Sequence, residues 1–137
     1  MRYSKGASRY GSASSITVPT GELTNVSSSL TATGNFISNT ITAPSSKSKI
    51  GAIITYEDTS GTNALNTDIV LQLSADNGSN YSTATLTALP NYSTGIKMAK
   101  VNDLAVTAGT QLKYKISFAN QSLGSKEARI RGVSLQY

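Results

Sequence analysis

Alternation of apolar and polar residues is the main signal along this chain. In "QLKYKISF", Leu112, Tyr114, Ile116 and Phe118 share one face of an extended strand, and the residues between them are polar. Two earlier segments repeat this period of two, with the inward residues Ile50, Ala52, Ile54 and Tyr56, then Ile69, Leu71 and Leu73. No stretch sustains a helical period. The pattern predicts an all-β protein with seven or eight short strands.

Turn and loop residues divide these strands. Pro44 with "SSKS" is predicted to end one strand, and "EDTSGTN" and "NDLAVTAGT" read as connections. A return strand is expected from Tyr81 to Thr87, with Tyr81, Thr83, Thr85 and Thr87 on one face and Ala84 and Leu86 on the other. This regular spacing of strands and turns predicts an antiparallel β-sandwich, jelly-roll-like, over residues 16–137.

The last segment, "EARIRGVSLQY", changes phase in its middle. Ala128 and Ile130 share one face, whereas the apolar residues from Val133 onward have the opposite parity. One extra residue would restore the register, because side chains alternate strictly along a strand. The sequence therefore predicts a β-bulge at Arg131-Gly132.

Composition argues against catalysis. The chain has no His and no Cys, which removes the usual general base, the usual zinc ligands and every Ser-His or Cys-His nucleophile pair. Of its seven carboxylates, the adjacent Glu57 and Asp58 would point to opposite faces of a strand. We expect no enzyme activity, no cofactor and no metal.

Charge is unevenly placed along the chain. The net charge of +5 divides into +3 over residues 1–15, −3 over residues 16–94 and +5 over residues 95–137. Residues 1–15 are rich in Gly, Ser and Ala and have no apolar period, so they are predicted to form a flexible basic N-terminal arm.

Three interpretations of the arm are open: a frayed terminus, a tether that orders against a partner protein, and a nucleic-acid contact. Three positive charges are weak support for nucleic acid, which we do not expect as a partner. The tether is favoured, and its candidate partner-binding residues are Arg2, Tyr3, Lys5, Arg9 and Tyr10.

The stretch "SADNGSNY" follows the spacing of the Asp-box hairpin found in sialidases and related propellers. The candidate turn residues are Ser74, Asp76, Gly78 and Tyr81, with Tyr81 in the place of the usual Trp. In that hairpin the Asp and Gly have structural roles, and a propeller repeats the motif, whereas this chain has it once. Its side-chain oxygens are too few for a calcium loop of the EF-hand type. We predict a structural turn.

The C-terminal part of the chain resembles small β-sandwich structural proteins of tailed bacteriophages. The resemblance rests on "LKYKI" (112–116), "KEARI" (126–130) and the closing "GVSLQY" (132–137), together with the "SADNGSNY" hairpin. It implies a virion component, assembled in the host cytoplasm and located in the virion.

The size and layout favour a capsid decoration (cement) protein that grips the head shell. No coiled-coil or repeat segment of the kind that fibre proteins carry is present. The expected partners are the major capsid protein or another virion protein, and a homotrimer is expected from the resemblance. A membrane is not an expected partner. The alternative is a tail adaptor or fibre-tip module that binds a partner protein or a host glycan.

Overall fold

A computed structural model describes residues 33–137 of this chain. Residues 1–32, which include the predicted arm with its candidate binding residues, lie outside the described residues. Every regular element of the described part is a β-strand, and these strands are β1 (Gly34–Ile37), β2 (Ile41–Ser60), β3 (Ile69–Ser74), β4 (Ser82–Thr83), β5 (Thr87–Ser93), β6 (Ile96–Phe118) and β7 (Glu127–Gln136). The all-β prediction is confirmed.

The strands form one antiparallel sheet around β6. The main strand order is β4-β3-β6-β2-β7, and β1 and β5 also pair with β6. The carboxyl-terminal half of β6 lies between β1 and β3, whereas its amino-terminal half lies between β2 and β5. Both halves of β6 contribute to one core, so β6 connects the strands that pair with its first half to those that pair with its second half. The jelly-roll-like sandwich stays a prediction.

The core consists of the inward positions that the alternating pattern predicted. Ile50, Ala52, Ile54 and Tyr56 of β2 and Ile69, Leu71 and Leu73 of β3 are all buried. On β6, Leu112 and Ile116 are fully buried, while Tyr114 and Phe118 are half-buried against the same cluster. Ala84 and Leu86, which the pattern placed on the face opposite to Tyr81, are also buried. Period two therefore located the core.

The prediction of uniformly short strands was wrong. β2 continues through Pro44 for 20 residues, and β6 includes "NDLAVTAGT" in a strand of 23 residues. Proline is tolerated because the β2–β6 pairing shifts register between Thr42 and Lys47, where no ladder partner is needed from it. The return strand was predicted from Tyr81 to Thr87, but the observed strand β4 has only two residues.

The predicted bulge in the last strand is confirmed. Thr55 pairs with Gly132, but the next residue, Tyr56, pairs with Ile130, so Arg131 is the extra residue. The shift allows Ile130 and Val133 to contact the core together. It also bends β7, which is an edge strand of the described sheet, and a bent edge pairs less readily with another chain.

Candidate functional site

The turn between β3 and β4 is held by side chains that bond to its own backbone. The Ser74 hydroxyl donates to Asp76 Oδ1 at 2.7 Å and accepts the Gly78 N–H at 2.9 Å. The Asp76 carboxylate accepts the Asn80 N–H at 2.9 Å and the Asn80 side-chain amide at 2.7 Å. These contacts close the loop from within.

The Asn-Gly pair in this turn has the backbone of a tight hairpin. Asn77 and Gly78 both have positive φ, 61° and 85°, and the Ser79 N–H bonds to the Asp76 carbonyl at 3.2 Å. Two successive left-handed residues are typical of a type I′ turn, for which Asn-Gly is the preferred pair. A Cβ at Gly78 would also lie 2.9 Å from the Tyr81 hydroxyl.

The turn is docked onto the backbone of β6. The Ala75 carbonyl accepts the Gln111 N–H, and the Asn77 N–H donates to the Gln111 carbonyl, both at 2.9 Å. The contact requires a residue without a side chain at position 109, because a Cβ on Gly109 would lie 2.0 Å from the Ala75 carbonyl oxygen. The turn is thus fixed to β6 by backbone hydrogen bonds and by close packing at Gly109.

Hydrogen bonds to the turn lower the pKa of Asp76. The Ser74 hydroxyl makes the largest contribution, followed by the Asn80 side chain and its backbone N–H, and together they bring the pKa to about 2. Asp76 is therefore ionised at neutral pH, and its oxygens are occupied by the turn.

Asp76→Ala should lower the melting temperature, because it removes every bond that the carboxylate makes within the turn. We expect a decrease of about 4–8 °C at pH 7, measured by circular dichroism. Ser79→Ala is the control: Ser79 is exposed, and its only bond in the turn is a backbone one. A decrease as large in Ser79→Ala as in Asp76→Ala would contradict this role for the carboxylate.

A basic face lies beside this turn. Lys113 and Lys115, two residues apart on β6, share the side of the strand that faces away from Leu112 and Ile116. Lys115 Nζ lies 4.9 Å from the centre of the Tyr81 ring, within cation–π range. Ile37 of β1, which is 52% exposed, pairs with Lys115 of β6. Among the described residues neither lysine has a carboxylate partner.

A buried polar network joins the end of β2 to the β6–β7 connection. Asn63 is 4% exposed, and its amide donates to Asp58 Oδ1 at 2.7 Å and to the Glu127 carbonyl at 3.1 Å. Its carbonyl accepts from the Gln121 amide at 2.8 Å. Lys97 Nζ forms a salt bridge with this network, at 2.7 Å from Asp58 Oδ2. Each buried polar group is satisfied, which marks a structural network rather than a reactive site.

Asp68 forms a second polar centre nearby. Its buried carboxylate accepts the Ala64 N–H at 2.8 Å, the Asn120 side-chain amide at 2.8 Å and Lys126 Nζ at 2.7 Å. The Ala64 bond, then those from Lys126 and Asn120, lower the pKa of Asp68 to about 2. The sequence predicted a connection at "EDTSGTN" and no role for residues 64–68 or 119–126. The Asn- and Asp-rich run "NALNTD" was the signal that could have revealed this centre.

An open groove lies where the β2–β6 pairing is irregular. It has a volume of about 360 Å³ and is lined by Lys49, Gly51, Asn102, Asp103, Gln136 and Tyr137. A neighbouring depression of about 510 Å³ shares Asn102 and Asp103 with it. The sequence pattern predicted no site from these residues, because positions 49 to 137 come together only in the paired sheet.

The candidate residues of the sequence divide into two groups. Ser74, Asp76, Gly78 and Tyr81 come together in the turn described above, whereas Arg2, Tyr3, Lys5, Arg9 and Tyr10 lie outside the described residues. Within residues 33–137, no group of three or more carboxylates is placed to hold a metal ion. The same part of the chain has no helix that is long and apolar enough to cross a membrane.

Comparison with known proteins does not add a relative. No protein family, curated protein or solved structure matches this chain.

Proposed function

We propose that this protein is a non-enzymatic structural component of a tailed-bacteriophage virion, a decoration protein that stabilises the head shell. In this proposal the strands around β6 form a jelly-roll-like sandwich, and the arm of residues 1–15 attaches it to the major capsid protein. The segments that carry the resemblance, "LKYKI" and "GVSLQY", lie in β6 and β7 on either side of β2.

The basic face is the observation that supports this proposal best. Lys113 and Lys115 stand side by side without a carboxylate partner among residues 33–137, next to the Tyr81 ring and exposed Ile37. Cations beside apolar and aromatic surface suit a partner that offers carboxylates around an apolar contact. By contrast, Arg129 and Arg131 already pair with Glu57, so their positive charge is partly neutralised and attracts an acidic partner less strongly.

Weak contacts of this kind become effective when many copies bind. Ordering an arm on a partner costs about 2–5 kcal/mol, and exposed charge pairs contribute at most about 1 kcal/mol each. A trimer that presents three arms and three basic faces to a shell would offset that cost through effective concentration. This is the physical reason for proposing an oligomer with the capsid as its partner; that the oligomer is a homotrimer is what the resemblance implies.

The copy number in purified virions tests the location. A decoration protein should be present in hundreds of copies and should appear as a regular array on the head in particle images. A handful of copies at one vertex or at the tail would replace this proposal with the tail adaptor or fibre-tip alternative. Complete absence from the virion would refute both.

Charge reversal on the basic face tests how it attaches. Full-length Lys113→Glu/Lys115→Glu should bind undecorated heads about tenfold more weakly at physiological salt, because two attractions become repulsions. Arg2→Ala/Lys5→Ala/Arg9→Ala should weaken binding in the same assay if the arm is the tether. Cosedimentation of purified protein with heads measures both, and the binding of the unchanged chain should fall as salt rises.

Lys47→Glu/Lys100→Glu is the matched control, because it changes the net charge by the same amount outside the basic face. Among the described residues these two lysines also have no carboxylate partner. Equal loss in this control would show that only net charge matters. Full binding by both the basic-face variant and the arm variant would contradict the proposed mode of attachment.

A further inference from the structure

The groove beside Asp103 is built on a local distortion of β6. Ile50 pairs with Leu104, but Ala52 pairs with Val101, so Asn102 and Asp103 together face the single residue Gly51. Asp103 has a φ of 50°, a left-handed conformation that is uncommon for residues other than glycine. Bulges of this kind occur often beside binding sites, where they redirect side chains.

Asp103 differs from the other left-handed residues of the described chain. Asn66 accepts the Leu86 N–H at 2.7 Å, Asn77 accepts the Thr40 hydroxyl at 2.7 Å, and Asn120 donates to Asp68 at 2.8 Å. Each asparagine thus uses its side chain to support the local structure. The Asp103 carboxylate makes no side-chain hydrogen bond or ion pair within residues 33–137, although its backbone conformation carries a cost.

The groove floor is open because Gly51 has no side chain. A Cβ at position 51 would lie 3.0 Å from the Val101 carbonyl oxygen and 3.2 Å from Gln136 Oε1. On one side stands Tyr137, whose side chain is 53% exposed. The groove volume of about 360 Å³ lies within the range of about 300–1,000 Å³ that is usual for small-molecule sites.

The lining combines hydrogen-bond donors, acceptors and one aromatic ring. Lys49 donates, Asp103 accepts, and the amides of Asn102 and Gln136 can do both. None of these four side chains bonds to another side chain in the described part of the structure. An exposed tyrosine offers a flat apolar surface with a polar end. The neighbouring depression adds hydroxyl groups from Thr85 and Thr87.

We propose that this groove binds a neutral saccharide. A sugar ring presents several hydroxyl groups, each donor and acceptor, on its edges and an apolar C–H face that can stack on Tyr137. An oligosaccharide would extend past Asp103 toward Thr85 and Thr87. Lys49 and Asp103 line the groove with opposite charges, so the groove itself offers a strongly anionic ligand no net attraction, and a lipid or apolar peptide is disfavoured by the polar lining. This site is separate from the capsid attachment proposed above and does not depend on it.

The test is a glycan array probed with the full-length protein. The array carries neutral hexose and N-acetylhexosamine oligosaccharides beside sialylated and sulfated ones. We expect binding to neutral glycans, and the best of them is then titrated by calorimetry. Tyr137→Ala should weaken its affinity at least tenfold, because the stacking surface is lost. Asp103→Gly removes the carboxylate while it permits the positive φ, and it should also weaken the affinity tenfold or more.

Tyr92→Ala is the matched control, since Tyr92 is 69% exposed on β5 and does not line the groove. It should bind the glycan as the unchanged protein does. Unchanged melting temperatures would show that the groove variants are folded. The proposal is overturned by no binding of neutral glycans at up to about 1 mM, by binding confined to sialylated or sulfated glycans, or by full binding in both groove variants.

Discussion

Gly109→Ala is expected to lower the free energy of unfolding by about 3 kcal/mol or more, at the upper end of the cost of overpacking. A Cβ at this position would lie 2.0 Å from the Ala75 carbonyl oxygen and 2.7 Å from its carbonyl carbon. The new methyl group would meet backbone rather than a movable side chain. The Ala75–Gln111 hydrogen bond of 2.9 Å would have to lengthen, so the turn would separate from β6.

Chemical denaturation at neutral pH measures this effect, and thermal unfolding should show a decrease of about 12 °C or more. Ala108→Ser is the control, because it adds one heavy atom at the neighbouring, exposed position of β6 and should change stability by less than about 0.5 kcal/mol. If the two variants were equally stable, the close approach of Ala75 to Gly109 would not be a feature of the folded protein.

Asp68→Asn is expected to have the second largest effect, a decrease in melting temperature of about 8 °C or more at pH 7. The carboxylate joins the β2–β3 connection to the β6–β7 connection: the Ala64 N–H, the Asn120 amide and Lys126 Nζ all bond to it. An amide in its place keeps one acceptor oxygen and presents an N–H group to at least one of the donors that now point at the carboxylate. A buried donor left without a partner is costly.

The same carboxylate should make the protein sensitive to acid. The pKa of Asp68 is lowered from the ordinary 3.8 to about 2 in the folded chain. Because the folded-state pKa is depressed, its contribution is complete above about pH 4 and is lost as pH falls from about 4 toward 2. Asp76 has the same shift and should act in the same direction. Melting temperature measured from pH 7 to pH 2 should therefore fall below about pH 4.

Asp103→Asn is the matched control for Asp68→Asn. Asp103 is exposed, its carboxylate makes no side-chain bond among residues 33–137, and asparagine tolerates its positive φ. We expect this control to keep the melting temperature of the unchanged protein at pH 7 and the same decrease below about pH 4. In Asp68→Asn the decrease in melting temperature below about pH 4 should be smaller, and the part of it that depends on Asp76 should remain. A decrease as large as that of the unchanged protein would contradict the role of Asp68.

The local sequence pattern was sufficient to predict those features of the fold that depend on one strand or one turn alone. The inward faces of β2, β3 and β6 follow from period two, because alternate side chains must lie on the same side of an extended chain. The bulge at Arg131 follows from the same rule, since a change of parity within one strand requires an extra residue. The Asn-Gly turn was equally visible, because its preference for positive φ belongs to the residues themselves.

Features that depend on distant segments were not visible in this way. Pro44 and "NDLAVTAGT" were read as breaks, yet both lie inside long strands, because register shifts in the β2–β6 pairing accommodate them. The buried centre at Asp68 requires Asn120 and Lys126, which come from the β6–β7 connection far along the chain. A polar loop residue and a buried ion-pair residue have the same local sequence signature.

The strand class, the apolar faces, the turn chemistry and the absence of His and Cys can be read from the amino-acid sequence alone, because these are properties of single residues and their spacing. Pairing between distant strands was needed to establish that Gly109 must lack a side chain, that Lys115 lies over the Tyr81 ring, and that Gly51, Asp103 and Tyr137 line one groove. Those relations depend on which strands pair and in what register. Pairing is a long-range choice, made by burying one shared core, and no local pattern encodes it.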